Sequence, residues 1–184
     1  MRMHKGLNQK GVTLVEIILV IAIIGILAST SVMLIGHLRY ADTEKAVKTV
    51  DSSLDKLQVQ TMSKADTPYL YIYHLSDGCY LKIMNDDVTS FDSSKFDKKG
   101  VKLSNNRVDI YDIYKSTEST ESTESKESES RTKVDGDNFI KVVYKKSAAF
   151  DTDKTNVTNI EIDGVGTYTV RLIGETGKHF IVKK

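Results

Sequence analysis

The spacing of apolar and polar positions changes character twice along this chain. Over 17–28 every residue is apolar or glycine (IILVIAIIGILA); Ser29, Thr30 and Ser31 follow, and the apolar run resumes over 32–35. As a helix, 17–35 would be about 28 Å long, close to the ~30 Å of a bilayer core. A run that is apolar on all sides has no wet face, so it belongs in lipid or in the middle of a bundle. Further on, Val47, Val50, Leu54 and Leu57 are spaced three, four and three apart, with Tyr40 ahead of them and Thr61 behind. Asp42, Glu44, Lys45 and Lys48 fall on the other side. This is a one-sided helix with a narrow apolar stripe. No proline interrupts before Pro68. The pattern predicts one helix over about 12–64, apolar all round at first and then amphipathic, ended by Asp66-Thr67-Pro68.

Downstream the period changes to two. The segments 69–75 (YLYIYHL) and 79–84 (CYLKIM) flank Ser76-Asp77-Gly78 and read as a hairpin. Strands are also predicted at 108–114, 139–144, 167–173 and 179–182, with the last two joined across Gly174 to Lys178. Nine tyrosines, many Val and Ile residues and a single proline suit a sheet. The fold class expected is α+β: a long N-terminal helix, its apolar half a membrane anchor and its soluble half packed on one face of an antiparallel β-sheet. One stretch stands apart. Residues 116–130 (STESTESTESKESES) contain no apolar side chain and five glutamates, a composition that cannot offset its ordering entropy. It is expected to be a flexible loop between two strands.

Charge adds one local feature. Lys and Arg total 26 against 25 Asp and Glu, so no broad basic surface for nucleic acid is implied. The first eleven residues, however, carry Arg2, Lys5 and Lys10 and no acid. A basic start before an apolar run would also suit a secretory signal peptide, and Ala28-Ser29-Thr30 could imitate its cleavage site. Against that, the apolar run continues after Ser31, and Glu16 lies at its mouth. A carboxylate deep in lipid costs on the order of 2.5–3.5 kcal/mol, and neither a signal peptide nor a plain anchor has a use for one.

The stretch Lys10-Gly11-Val12-Thr13-Leu14-Val15-Glu16, running directly into the apolar helix, resembles the class III signal of type IV pilins and pseudopilins. The resemblance implies that prepilin peptidase cuts between Gly11 and Val12, that Val12 becomes the N-methylated first residue, and that Glu16 serves assembly. A basic leader stays on the cytoplasmic side, so the cut precedes the anchor and the anchor is kept. The new Val12 amine remains cationic and gives Glu16 of a neighbouring subunit a partner; in an apolar bundle an unpaired carboxylate is strongly unfavourable and a paired one tolerable. The implied organisation is a leader at 1–11, a transmembrane or filament-core helix at 12–36, its amphipathic continuation at 37–66, and an extracellular β-rich domain at 67–184 containing the loop 116–130. The implied function is that of a structural subunit of a type IV pilus or pseudopilus, in adhesion, motility, secretion or DNA uptake. Its partners would be prepilin peptidase, other pilin subunits, the membrane assembly machinery and membrane lipid. The alternative is a membrane-tethered extracellular binding domain with an ordinary single anchor. Many members have Phe at the position of Val12, a proline in the apolar helix, or a C-terminal disulfide. This chain has none of these, which leaves room for a minor pilin, a pseudopilin or a Gram-positive pilin.

No catalytic constellation, cofactor motif or nucleic-acid site is expected. His4, His37, His74 and His179 are scattered and lack metal-ligand spacing, so no metal site is read either. Cys79 is alone and suits a buried strand position. Asp86-Asp87 and Asp151-Thr152-Asp153 fall short of a calcium loop. Gly174-x-x-Gly177-Lys178 lacks the spacing and following helix of a phosphate loop. Asn156-Val157-Thr158 fits a glycosylation sequon, a three-residue pattern common by chance.

Overall fold

The computed structural model describes residues 13–117 and 127–184, and within these only the backbone of 30–39, 115–117 and 127–129. The chain divides into two units at 38/39. Helix α1 spans Leu14–Ser63, within two residues of the expectation at each end. It is followed by nine strands: β1 Tyr69–Leu75, β2 Gly78–Met84, β3 Val101–Ser104, β4 Asp109–Thr117, β5 Glu127–Lys133, β6 Phe139–Val143, β7 Asn159–Gly164, β8 Gly166–Leu172 and β9 His179–Lys183. The fold is α+β.

In the second unit, the stripe of α1 forms as its spacing dictates. Thr43, Ala46, Val47, Val50, Leu54, Leu57 and Thr61 are all buried, while Val59 and Met62 on the opposite side stand open. Thr61 is buried without an unmet donor because its hydroxyl donates back to Leu57 O at 2.9 Å. The last turn of the helix has no basic residue of its own. Lys146, from the loop after β6, supplies the cation, donating to the carbonyls of Thr61 and Lys64 and satisfying acceptors that a helix C-terminus leaves unpaired.

The strands form two antiparallel sheets where one was expected: β3-β2-β1-β6 and β5-β4-β7-β8-β9. Residues of both sheets join the α1 stripe in one core: Leu70, Ile72 and Leu81 from the first, Ile110, Ile160, Ile162 and Val170 from the second. β1 is covered on both faces. Leu70 and Ile72 enter this core, while Tyr69, Tyr71 and Tyr73 enter a second, aromatic cluster with Tyr80, Val88 and Phe96. That cluster lies under the connection between β2 and β3. Tyr71 donates to Asp86 O at 3.0 Å and accepts from Val88 N at 2.8 Å; Tyr73 donates to Asp97 O. Burial pushes both tyrosine hydroxyls up to about 12, so both remain protonated donors.

Strands β3, β5 and β7 were not expected from the sequence. In β7, Ile160 and Ile162 alternate with Asn159, Glu161 and Asp163, so the sequence carries a period-two strand pattern in which Glu161 would face solvent. Glu161 is nevertheless buried, held at 2.7 Å by Arg131 and at 2.7 Å by Lys184. Burial alone would raise its carboxyl; these two cations outweigh it and hold the carboxyl below the usual glutamate range. Arg131 also lies over the Tyr111 ring, 3.6 Å from its centroid. β5 explains the one boundary that needs correcting. The tract 116–130 was expected to be loop throughout, yet its flanks pair: Tyr114 with Ser130, Lys115 with Glu129, Ser116 with Ser128 and Thr117 with Glu127. A backbone ladder needs no apolar side chain, and the hairpin extends into the tract from both ends. Positions 118–126 lie outside the described residues. Replacing 118–126 with a short Gly/Ser turn should leave the melting temperature almost unchanged, since closure entropy varies slowly with loop length. Replacing all of 116–130 should lower it, because the outer β4–β5 rungs go too. Equal melting temperatures for the two variants in thermal unfolding would show that those rungs contribute nothing.

Candidate functional site

The start of α1 is set by Thr13 and Glu16. The Thr13 N–H donates to Glu16 Oε2 at 3.4 Å, and the Glu16 N–H donates to Thr13 Oγ1 at 3.3 Å. Both contacts are long, but they are reciprocal, and they form the capping box of a Ser/Thr followed three residues later by Glu. Backbone bonds from Glu16 N and Ile17 N to Thr13 O begin the helical ladder. Glu16 also places its charge in the first turn, at the positive end of the helix dipole. The sequence signal for this cap, T-x-x-E, was present inside the motif but went unread as a cap. Gly11 and Val12 lie outside the described residues.

The helix beyond this cap is apolar and open. Every large apolar residue among Leu14, Val15, Ile17, Ile18, Leu19, Val20, Ile21, Ile23, Ile24, Ile26 and Leu27 is roughly half exposed or more, from 48% at Val20 to 75% at Leu14. At about 1.5–3 kcal/mol for full burial of each such side chain, covering this run is worth on the order of 10 kcal/mol or more. A surface of this extent marks a place for lipid or for other protein. Ser29 is accommodated by donating back to Ile26 O at 2.8 Å, and a Cβ on Gly25 would meet nothing within 4 Å. Among the described residues no helix is long and apolar enough to cross a membrane. The apolar run of the sequence continues into 30–35, whose side chains are not described.

The remaining candidates have structural roles. Cys79 is buried in β2, and burial pushes its thiol up to about 11, away from reactive thiolate chemistry. Asn156 uses its side chain at both ends, accepting from Lys141 N at 2.8 Å and donating to Phe139 O at 2.9 Å. This ties the strand-connecting loop to β6 and engages the amide a glycan would need. Gly177 has φ +67°, and a Cβ there would collide with the carbonyl of Ala148, so the glycine serves a tight backbone approach and not a phosphate.

His179 is placed where sequence spacing could not show it. It begins β9, and its ring lies against α1 with Nε2 3.5 Å from Asp51 Oδ1 and 3.4 Å from Asp55 Oδ1. Its Nδ1 is 3.3 Å from the Tyr144 hydroxyl. Asp51 and Asp55 share a helix face because they are four residues apart.

Residues 6–32 match the prokaryotic N-terminal methylation motif. This is the prepilin-type cleavage and methylation signal of type IV pilins and pseudopilins. The chain carries a prepilin signal. The signal covers the capping box and the open apolar run, and it points to a type IV pilin-like, structural protein. No curated protein and no solved structure matches this chain.

Proposed function

We propose that the chain is the precursor of a structural subunit of a type IV pilus or pseudopilus. In this reading 1–11 is a leader, 12–36 the anchor and later the filament-core helix, 37–66 its amphipathic continuation, and 67–184 the surface domain. Prepilin peptidase cuts between Gly11 and Val12 and methylates the new amine. The subunit waits in the membrane by its apolar helix, and the assembly machinery then transfers it into a filament beside other subunits.

The observation that carries the reading is the prepilin signal at 6–32 lying directly on the start of a helix whose apolar side chains stand open. Apolar surface of that extent is at home in lipid, and equally against identical helices in a bundle. One surface can therefore serve both the stored and the assembled state. The cap at Thr13 lets the helix begin two residues after the proposed cut, so the peptidase meets a short segment ahead of the first turn.

Replacing Gly11 with a bulky residue such as leucine tests this. The expected result is an uncut precursor held in the membrane, seen by mass spectrometry as a chain longer by the leader. A wild-type N-terminus at Val12 in that variant would count against this kind of cleavage signal, and a chain that begins at Met1 in the wild type would support an ordinary single anchor.

A further inference from the structure

We propose that Asp51, Asp55 and His179 form a binding site for one divalent transition-metal ion, of the class that takes mixed imidazole and carboxylate ligands. Each residue offers one ligand atom, and the three atoms all lie within 4.8 Å of one another. The two contacts made by His179 Nε2, 3.5 and 3.4 Å, are close to the edge of a tetrahedron with metal–ligand bonds of 2.0–2.1 Å, about 3.3–3.4 Å. The imidazole nitrogen thus already stands near the separation from each carboxylate oxygen that it would have around an ion. As hydrogen bonds the same contacts are long.

The imidazole is also held as metal-bound imidazoles are. Its side chain is only 7% exposed, and its other nitrogen, Nδ1, is engaged by the Tyr144 hydroxyl. That hydroxyl is itself buried and stacked on Phe150, with ring centroids 4.3 Å apart. A partner fixed behind one ring nitrogen orients the other toward the ion. In the tautomer with its proton on Nδ1, toward the Tyr144 hydroxyl, Nε2 presents a lone pair beside the two carboxylates, the donor set an ion would take. Among the described residues neither Asp51 nor Asp55 pairs with a lysine or arginine.

Imidazole nitrogen with carboxylate oxygen selects zinc, iron or nickel over calcium or magnesium. Three protein ligands leave a fourth position, and it faces outward, since the Asp55 side chain is 68% exposed and the three ligands border a surface depression with Gln58, Lys178 and Phe180. That position is open to water or to a donor from a neighbouring molecule. The bound ion would clip β9, the edge strand at the end of the second sheet, to the C-terminal third of α1. This inference is independent of the filament reading.

The test uses the full chain in detergent, with Zn2+ as the probe in a non-chelating buffer, followed by calorimetric titration and thermal unfolding. Expected are one Zn2+ bound per chain, a melting temperature raised by several degrees at saturation, and no comparable effect of Ca2+ or Mg2+. Asp55→Asn and His179→Gln should each weaken Zn2+ binding at least a hundredfold. Tyr144→Phe, which keeps all three ligands and removes only the group behind Nδ1, should weaken it about 10–100-fold. If His179→Gln does not fold, the exposed Asp55→Asn decides. The proposal is overturned if Zn2+ does not bind below about 1 mM, if Asp55→Asn binds it like the wild type, or if Ca2+ binds as tightly as Zn2+, which would reduce the site to two surface carboxylates.

Discussion

Glu16→Ala and Glu16→Gln are both expected to insert, to be cut and to fold their surface domain, yet to be absent from sheared filaments. In a filament core Glu16 is far from water, and the proposed partner is the Val12 amine of the next subunit. Either variant leaves the buried Val12 amine without its carboxylate, and an uncompensated buried charge is destabilising by about 3–5 kcal/mol, enough to stop subunit addition. The capping box makes the pair of variants informative. Alanine removes both the charge and the acceptor for the Thr13 N–H, the Glu16 half of the capping box, while the Thr13 hydroxyl keeps its bond to the N–H at position 16. Glutamine keeps an acceptor at the third helical position and loses only the charge. Failure of both variants therefore assigns the effect to the ion pair. If glutamine assembles at wild-type levels while alanine does not, Glu16 acts as a helix cap and the pairing role is wrong. If both assemble with no wild-type copy present, Glu16 has no assembly role. The measurement is processed subunit in the membrane against subunit in filaments, variant beside wild type.

Leu54→Ala is expected to destabilise the surface domain by about 2–5 kcal/mol, the range for a fully buried leucine that leaves a cavity. Leu54 has no exposure and lies in the core shared by α1 and residues of both sheets. For a domain of this size the loss should lower the melting temperature by roughly 10 °C. Val59→Ala, on the same helix but 59% exposed, is the control and should change stability by no more than about 0.5 kcal/mol. Thermal unfolding of the two variants would contradict the described packing if both moved by the same small amount.

These two sites differ in how legible they were. The stripe from Val47 to Thr61 was readable because a helix has a fixed period of 3.6 residues, so a sequence pattern of three and four maps directly onto one face. Thr43 and Ala46 joined it only in the structure, being a hydroxyl and a small residue that hydropathy does not mark. The N-terminal signal was legible because it too is local, the motif at 6–32 lying within one short stretch of chain. The hairpin of β1 and β2 was readable too, because its turn is local.

What the sequence left open were the contacts between distant segments. Strand period gives a face but not a partner, so one sheet was expected where nine strands form two. The alternation of Ile160 and Ile162 in β7 was local and readable, but the burial of Glu161 was not, since it looks like a solvent residue until Arg131 and Lys184, 30 and 23 residues away, meet it. The flanks of the Ser-Thr-Glu tract were read as loop from composition, although a backbone ladder is indifferent to composition. His179 looked isolated because Asp51 and Asp55 lie more than 120 residues earlier. The amino-acid sequence by itself determined the helix, its two kinds of face and the signal at its start, since all of these depend on neighbours along the chain. Only the tertiary structure decided which strands pair, which charges are buried and which three side chains converge beside α1. Those outcomes depend on long-range closure of the chain, where the free energy comes from groups that no local spacing brings together.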